Sequence, residues 1–468
     1  MPIHTVARGV KGTGATVDDL PNEMLGLIFS AGTAEFWISD FPQARSWPLP
    51  FPLILSHVCR RWRAISVSSP TLWCRILIWG GLKMDSLKCF LERSRNLPLS
   101  VDFWFPKRSE LCCIREVHLR RLIDAVLQHA ARWSSCTATI HWIEASLLWG
   151  KLASLVLPQL RSLYVRPASS PMAPIKLEVP LLTHLALMYD PPDLRVDAIP
   201  LFGGLRSLHL YSMKMRLHVL QSVFGACPHL QILRLLSVEF EGQAQLDALS
   251  LRCLELRKSA KSAHMFSFLH APALEVLVID RCTRPYLPSR SDRDTGSLTG
   301  FLPALRALHF RLHGESIYLQ DIDSIVDFDL LEHIGLPSRE LARVLERHGH
   351  RDDLWPRLSI LSCDLGPEVI PFVRARITIG TPLHVIRTSL ESPKHRIPPG
   401  KLQWLMEHIA IEPSATPSDF TIERNFKGFG ACDPESIWPL SYSIDLDGNA
   451  RQERATGQEA GRSHEESV

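Results

Sequence analysis

Long apolar runs are the first thing that this sequence lacks. No stretch of the 468 residues reaches about 18 uncharged apolar positions, the length that a membrane-spanning helix needs. Residues 1–17 lack the apolar centre of a secretion signal, and the 11 cysteines show no paired spacing typical of a disulfide framework. We therefore expect a soluble protein with reduced thiols that resides in the cytoplasm and/or nucleus and binds no membrane.

An excess of one charge is also missing. The chain carries 52 Lys and Arg residues against 49 Asp and Glu residues, a formal charge of +3, and both signs are mixed along its length. A nucleic-acid-binding domain normally shows a continuous basic surface, so this composition disfavours nucleic acid as a partner. The content of 46% hydrophobic and 22% charged residues is that of a globular protein with a large core.

The glycine motifs that hold phosphate groups are absent too. The chain has no Gly-x-x-x-x-Gly-Lys-Ser/Thr run, no Gly-x-Gly-x-x-Gly after a predicted strand and no Gly-x-Ser-x-Gly elbow. Cys112, Cys113 and His118 lie close in sequence, as do His348 and His350, but no Cys-x-x-Cys pair accompanies them. We interpret both groups as structural and expect a protein that is not an enzyme and uses no cofactor and no metal.

What the sequence does contain is a repeat of the form Leu-x-x-Leu-x-Leu, often with Pro two positions before it. The first anchors of nine copies are Leu160, Leu182, Leu205, Leu230, Leu251, Leu274, Leu305, Leu331 and Leu358. Most steps lie within the period of about 20–29 residues of leucine-rich repeats. Because the second and third anchors are two positions apart, they point to the same side of a short strand. Segments between the copies show helical spacing, so the pattern predicts stacked strand–helix units with one shared core.

The segment 18–75 predicts three short helical pieces. Asp18 and Asp19 favour a helix that starts near Leu20. A second helix is predicted over residues 53–67, and Pro70 ends it before a short turn. The apolar positions of the two helices are Leu20, Met24, Leu25, Ile28, Phe29, Leu55, Val58, Trp62 and Ile65. A unit of this size buries too little apolar surface on its own, so we expect part of this face to stay open for a partner.

The same segment resembles an F-box. The matching residues are Leu20-Pro21, Glu23, Leu25, Ile28-Phe29, Val58-Cys59-Arg61-Trp62 and Pro70-Leu72-Trp73, although the spacer over residues 32–52 is longer than in the compact family pattern. The resemblance implies docking onto a Skp-type adaptor, and through it onto a cullin–RING scaffold, by a substrate receptor of a ubiquitin ligase. The adaptor contacts that it implies are Leu20, Pro21, Leu25, Ile28, Val58, Cys59, Arg61 and Trp62.

The repeats also point to a second binding surface. Strand residues between the anchors face away from the core and should line the concave side of a degenerate horseshoe. Aromatic residues and arginines are enriched at protein interfaces. We therefore expect an unknown target protein to contact Tyr164, His209, Tyr211, Arg234, Glu255, Arg257, His309 and Arg311.

The predicted fold class is α/β, with a three-helix F-box-like segment followed by a leucine-rich-repeat solenoid, and the chain resembles the expanded F-box families of filamentous fungi. The expected domains are a disordered N-terminus (1–17), the F-box-like segment (18–75), a linking helix–strand–helix region (76–150), the repeat array (151–379), a C-terminal cap (380–447) and a disordered tail (448–468). Residues 281–300 should form a surface loop. An alternative is an interaction scaffold unconnected to ubiquitin, in which the N-terminal helices cap the solenoid and bury Leu25, Ile28, Val58 and Trp62.

Overall fold

The N-terminal segment of the computed structural model is helical. The structure describes residues 16–36, 50–79, 81–105, 114–140, 148, 150–152, 155–167, 178–188, 203–258, 265, 268–280, 302–311, 326, 328–349, 354–363, 365–388 and 397–413, and all of these lie in one unit, Met1–Pro413. The predictions for residues 1–15, the loop 281–300, the residues after 413, Cys112, Cys113 and His350 lie outside the described residues. A 3-10 turn at Val17–Asp19 precedes α1 (Asn22–Phe36), α2 (Phe51–Val58), α3 (Arg60–Ser68) and a 3-10 turn at Pro70–Trp73.

One of the two helices predicted in this segment is wrong. The first helix begins at Asn22, two residues after the predicted start near Leu20, because Leu20 is extended (φ −70°, ψ 134°). The single helix predicted over 53–67 is two helices, since Cys59 is also extended (φ −154°, ψ 173°). Its Sγ accepts a hydrogen bond from the Trp62 amide at 3.4 Å and so caps the start of α3. Across the break, Arg63 Nε donates to the Ser56 carbonyl at 2.7 Å.

Within the described ranges, one parallel sheet of fourteen strands carries the repeat. In pairing order its strands are β1 (Arg75–Ile78), β2 (Leu99–Phe105), β3 (Trp133–Ile140), β4 (Ser162–Pro167), β5 (His184–Met188), β6 (Ser207–Tyr211), β8 (Ile232–Leu236), β11 (Cys253–Arg257), β13 (Val276–Asp280), β14 (Ala307–Arg311), β15 (His333–Gly335), β16 (Ile360–Ser362), β17 (Val385–Thr388) and β18 (Ala410–Pro413). Two short parallel pairs flank it, β7 (Lys214–Arg216) with β9 (Glu239–Glu241) and β10 (Leu246–Asp247) with β12 (Leu269–His270).

The helices connect consecutive strands at irregular intervals. They are α4 (Met84–Arg93), α5 (Ile114–Leu127), α6 (Leu217–Ala226), α7 (Ser338–His348), α8 (Val369–Ile379) and α9 (Pro399–His408). After α5 ends at Leu127, a 3-10 turn at Ala130–Arg132 leads to Trp133, which begins β3. The α/β architecture of a helical segment followed by a leucine-rich-repeat solenoid is confirmed.

The sheet extends beyond residues 151–379 at both ends. β1 pairs with β2, β2 pairs with β3 after a register shift between Leu99 and Ser100, and β3 pairs with β4, so the region expected to link the two domains supplies sheet strands. After α8, β17 and β18 add two more strands to the other end. These strands lack the Leu-x-x-Leu-x-Leu spacing, which is why the repeat pattern did not reveal them.

A tight turn explains the Pro that often precedes each copy. The amide of the first anchor donates to the carbonyl three residues earlier, as in Leu160 to Leu157 at 3.2 Å and Leu230 to Cys227 at 3.0 Å. The residue after that carbonyl is the second position of the turn, where the fixed φ of Pro fits. All nine first anchors are buried. Each fully buried leucine contributes roughly 1.5–3 kcal/mol to the free energy of folding.

The helical segment shares its core with the sheet through Trp73. Trp73 is fully buried, and its Nε1 donates to the Ser66 carbonyl of α3 at 2.8 Å. Its ring meets Phe90 of α4 edge-on at 5.1 Å, and the guanidinium of Arg93 lies 4.3 Å from its centroid. The segment therefore packs continuously onto the first unit of the solenoid.

Candidate interaction surfaces

The first candidate surface is an apolar patch on the outer side of α1. Met24, Leu27 and Ile28 recur at i, i+3 and i+4, so they share one helix face, and they are 47%, 66% and 50% exposed. Val58, at the end of α2, is 55% exposed. We call these four residues the apolar patch. Exposed apolar residues that share a helix face are a candidate surface for contact with another protein.

The open face of the segment does not include Leu25. Leu25 is 1% exposed and Phe29 is 2% exposed, so this side of α1 packs inward. Trp62 is half-buried, and its ring lies 4.8 Å from that of Phe29. Of the two predicted adaptor contacts on α1, Ile28 is open to a partner and Leu25 is not.

Arg61 ties the start of α1 to α3. Its Nε donates to Asn22 Oδ1 at 2.9 Å, and its Nη2 donates to the Leu20 carbonyl. Leu20 is half-buried, whereas Pro21 and Cys59 are exposed. Arg61 thus holds the Leu20-Pro21 turn against α3, which makes it a residue that positions the surface as well as one that borders it.

Sequence reasoning missed Leu27 and left Met24 out of the predicted contacts. The signal was present, because Met24, Leu27 and Ile28 follow helical spacing. The F-box pattern drew attention to Leu25 instead, and a periodicity of apolar residues on two sides of a helix does not say which side is covered.

The second candidate surface is the outward face, the side of the sheet opposite the anchors. The predicted column is in register from strand to strand, in the order Tyr164, Ala186, His209, Arg234, Glu255, Val278 and His309. Tyr211 and Arg257 lie two residues further along their strands, on the same side. The alignment of these side chains in one row is as predicted from the repeat spacing.

Burial in this column is higher than expected. His209, Arg234, Glu255 and His309 are 7%, 7%, 4% and 3% exposed. The prediction of an open contact surface is wrong for these four residues, because side chains of neighbouring strands cover one another. Tyr164, Tyr211 and Arg257 are half-buried, and the side chain of Arg311 lies outside the described residues.

A series of ion pairs occupies the middle of the outward face. Arg234 Nε lies 3.0 Å from Glu255 Oε2, Arg257 Nε pairs with Glu255 Oε1, and Arg257 also lies 4.0 Å from Asp280. Two guanidinium groups and two carboxylates therefore balance each other. Buried charges of this kind neutralise one another and offer little net charge to a partner.

Aromatic rings and hydroxyl groups lie on either side of these ion pairs. His209 Nε2 lies 3.0 Å from Ser207 Oγ, and the His209 ring lies 6.4 Å from that of Tyr211. Burial, together with the nearby Arg234 and His184, holds the pKa of His209 well below its usual value.

On the other flank, His309 and His333 meet edge-on. Their ring centroids are 4.2 Å apart, and His333 Nε2 lies 2.8 Å from Ser362 Oγ. Gly335 faces His309, and a Cβ at this position would collide with the imidazole. Among the described residues, no group of three or more His, Cys, Asp or Glu side chains is placed to hold a metal ion, and no helix is long and apolar enough to cross a membrane.

Comparisons with known proteins bear on the repeat array. Residues 141–308 match a family model described as FBD-associated F-box protein At5g56370, LRR repeats. This match confirms the resemblance to F-box proteins with leucine-rich repeats on the repeat side of the chain. No curated protein matches the sequence.

Two solved structures are similar to this chain. One is a TLR13–ssRNA13 complex, with a TM-score of 0.35 and 13% identity, where the match covers 70% of this chain and 45% of that chain. The other is an internalin from Listeria monocytogenes, with a TM-score of 0.27 and 14% identity, where it covers 63% of this chain and 89% of that chain. The chain thus spans less than half the length of the TLR13 chain that it matches.

Proposed function

We propose that this chain, whose repeats match those of an F-box protein family, is the substrate-recognition subunit of a Skp–cullin–F-box ubiquitin ligase. The observation that carries the proposal is the apolar patch, in which Met24, Leu27, Ile28 and Val58 are each about half exposed or more. The opposite side of α1 is sealed by Leu25 and Phe29. The patch is therefore a face built to be covered, and it lies in the segment that resembles an F-box.

The proposed roles of the helical segment and the repeat array follow from this arrangement. The apolar patch docks the Skp-type adaptor, Arg61 fixes the geometry of the Leu20-Pro21 turn beside it, and the repeat array holds the target protein. Because Trp73 joins the helices to the first solenoid unit, a target on the array keeps a defined position relative to the adaptor. This chain then contributes proximity and orientation, while other subunits perform the ubiquitin transfer.

The proposal assigns no catalytic step, cofactor or membrane contact to this chain and places it in the cytoplasm and/or nucleus. The seven described cysteines form no disulfide bonds with one another, which is typical of a reducing compartment.

Co-precipitation of the Skp adaptor with the intact chain tests the proposal. Ile28→Asp combined with Val58→Asp places two charges in the apolar patch, and we expect recovery of the adaptor to fall at least tenfold, as for a change of about 1.4 kcal/mol or more. Leu249→Asp is the matched control, since Leu249 is 60% exposed but lies in the repeat array. Equal recovery of the adaptor with all three forms would falsify the docking assignment.

The packing of Trp73 favours a second candidate, an interaction scaffold unconnected to ubiquitin whose helices cap the solenoid. In that case Leu72 and Trp73, both buried, perform the main task of the segment. The same co-precipitation distinguishes the two, because a cap recovers no adaptor even when Ile28 and Val58 are intact.

A further inference from the structure

The outward face changes character along the sheet. We call its part on strands β3 to β6 the hydroxyl zone, because six of its nine described side chains carry a hydroxyl group. These nine are Ser135, Thr137, Ser162, Tyr164, His184, Ala186, Ser207, His209 and Tyr211. None of the nine is Lys, Arg, Asp or Glu, and the side chain of Arg166 near the end of β4 lies outside the described residues.

Ion pairs that neutralise themselves border the hydroxyl zone on both sides. On β2, Asp102 pairs with Arg75 at 3.0 Å. On β8, Arg234 pairs with Glu255 at 3.0 Å. A charged residue of a partner would lose its water in the zone without gaining an opposite charge, which costs free energy. The charge pattern therefore favours an uncharged occupant.

Three rings give the hydroxyl zone a stepped aromatic surface. The rings of Tyr164 and Tyr211 meet at 77° with their centroids 6.5 Å apart, and those of Tyr211 and His209 meet at 71° with their centroids 6.4 Å apart. Ala186 is in register between Tyr164 and His209, and its small side chain lets the tyrosine rings meet across β5. Both tyrosines are half-buried, so their rings reach the surface and offer apolar contact area. Rings that meet near a right angle leave a notch between the face of one and the edge of the other.

One hydroxyl group in the zone lacks a hydrogen bond. Ser162 is 3% exposed, and its Oγ has no hydrogen-bond partner in the part of the chain that the structure describes. Its neighbours Tyr164, two residues along β4, and His184, one strand across, are half-buried and border the surface. A buried hydroxyl without a partner destabilises the free chain, and a carbonyl oxygen of a bound segment that accepts its hydrogen bond offsets that cost.

We propose that the hydroxyl zone binds a proline-rich, uncharged segment of the target protein. Proline rings fill the notches between the aromatic rings, and a polyproline helix leaves its carbonyl oxygens free to accept hydrogen bonds. Proline has no amide hydrogen, so such a segment needs donors, and the hydroxyl groups of the zone supply them. This inference rests on the proposed function for the role of the partner as a target, and it names the chemistry of that target.

Acidic segments and nucleic acids suit the hydroxyl zone less well. Both need cations opposite their carboxylate or phosphate groups, and the nine described side chains include neither Lys nor Arg. Burial holds the pKa of His209 well below its usual value, so this imidazole adds no positive charge near neutral pH. The uncharged proline-rich segment is therefore the partner that the described side chains favour.

The test uses the full chain and a fluorescein-labelled peptide of about twelve residues that repeats Pro-Pro-Ser. We expect saturable binding by fluorescence anisotropy, with an affinity that changes little between about 0.05 M and about 0.3 M salt because no opposite charges meet. Tyr164→Ala combined with Tyr211→Ala should weaken the affinity at least roughly tenfold, since both notches are lost. Ile360→Ala is the matched control, because Ile360 is half-buried on the outward face of β16 and should leave the affinity unchanged.

Two further variants separate binding from folding, which circular dichroism follows. Tyr164→Phe combined with Tyr211→Phe keeps both rings and removes two donors, so the affinity should fall roughly fivefold in a folded chain. Ser162→Ala removes the unpaired hydroxyl group, so it should weaken peptide binding roughly threefold or more without lowering the stability of the free chain. A role of these side chains in folding alone would leave the affinity of the folded variants at the wild-type value.

Three results would overturn the inference. These are no binding of the peptide by the wild-type chain, wild-type affinity of the folded tyrosine variants, and equal or tighter binding of a peptide in which Ala replaces each Pro or Glu replaces each Ser. Adaptor recovery is measured on the same variants. The hydroxyl zone lies outside the apolar patch, so recovery should be unchanged. Lost peptide binding with intact recovery counts against this inference alone, and peptide binding by a wild-type chain that recovers no adaptor counts against the proposed function alone.

Discussion

Arg234 and Glu255 form a buried ion pair between neighbouring strands of the outward face. Their Nε and Oε2 atoms are 3.0 Å apart, and the side chains are 8% and 6% exposed. Glu255→Gln removes one charge and leaves the Arg234 guanidinium buried beside an uncharged amide. We expect the free energy of unfolding, measured with urea and circular dichroism, to fall by about 3–5 kcal/mol.

Two controls accompany this variant. Glu332→Gln breaks the exposed pair with Arg306 and should cost about 1 kcal/mol or less. Arg234→Met with Glu255→Leu removes both buried charges and should be closer in stability to the wild type than Glu255→Gln is. A loss of similar size for Glu255→Gln and Glu332→Gln would contradict the assignment of a buried, mutually dependent pair.

Gly335 is required because His309 lies against it. A Cβ at residue 335 would meet Nδ1 and Cγ of the imidazole, so Gly335→Ala should displace the ring from its edge-on contact with His333. We expect a loss of about 1–3 kcal/mol in the free energy of unfolding. Gly225→Ala is the matched control, because this position lies in α6 with open space around its Cβ and should gain about 0.5–1 kcal/mol. A neutral Gly335→Ala would show that His309 does not occupy this place.

Stability should fall with acid partly because of His209. Its pKa is lowered in the fold by burial, and Arg234 and His184 add to the effect, so as pH falls the unfolded chain takes up a proton before the folded chain does. The contribution is therefore complete above the ordinary imidazole pKa of about 6.5 and declines below it, by at most about 1.4 kcal/mol per pH unit. His209→Gln should show a shallower decline in the free energy of unfolding between about pH 7 and about pH 5. Parallel curves for the two proteins would exclude this role.

The periodic part of the structure was predictable from the sequence. The spacing of Leu163 and Val165, and of the corresponding pairs in later copies, located strands and their buried side, since a period of two fixes which face meets the core. The strand predicted in the linking region corresponds to β2, whereas β3 was not predicted, because Trp133, Cys136 and Ala138 fill the core there without leucine anchors.

The accessibility of the candidate surfaces was harder to predict. Sequence spacing placed Arg234 and Glu255 in one column, but their burial depends on how long side chains from neighbouring strands pair across the face. The break at Cys59 was missed because the apolar pattern continues through it, whereas the cap depends on a single Sγ–amide contact. Leu25 and Ile28 show the same limit, since a helix with apolar residues on two sides does not reveal which one is covered.

Hydrogen–deuterium exchange of the chain with and without the purified Skp adaptor tests the docking claim most directly. The account predicts slower exchange of backbone amides in α1 and at the end of α2, around Ile28 and Val58, and unchanged exchange around Leu249 of the array. Adaptor binding with protection confined to the repeat array, or no protection of α1 at saturating adaptor, would contradict it.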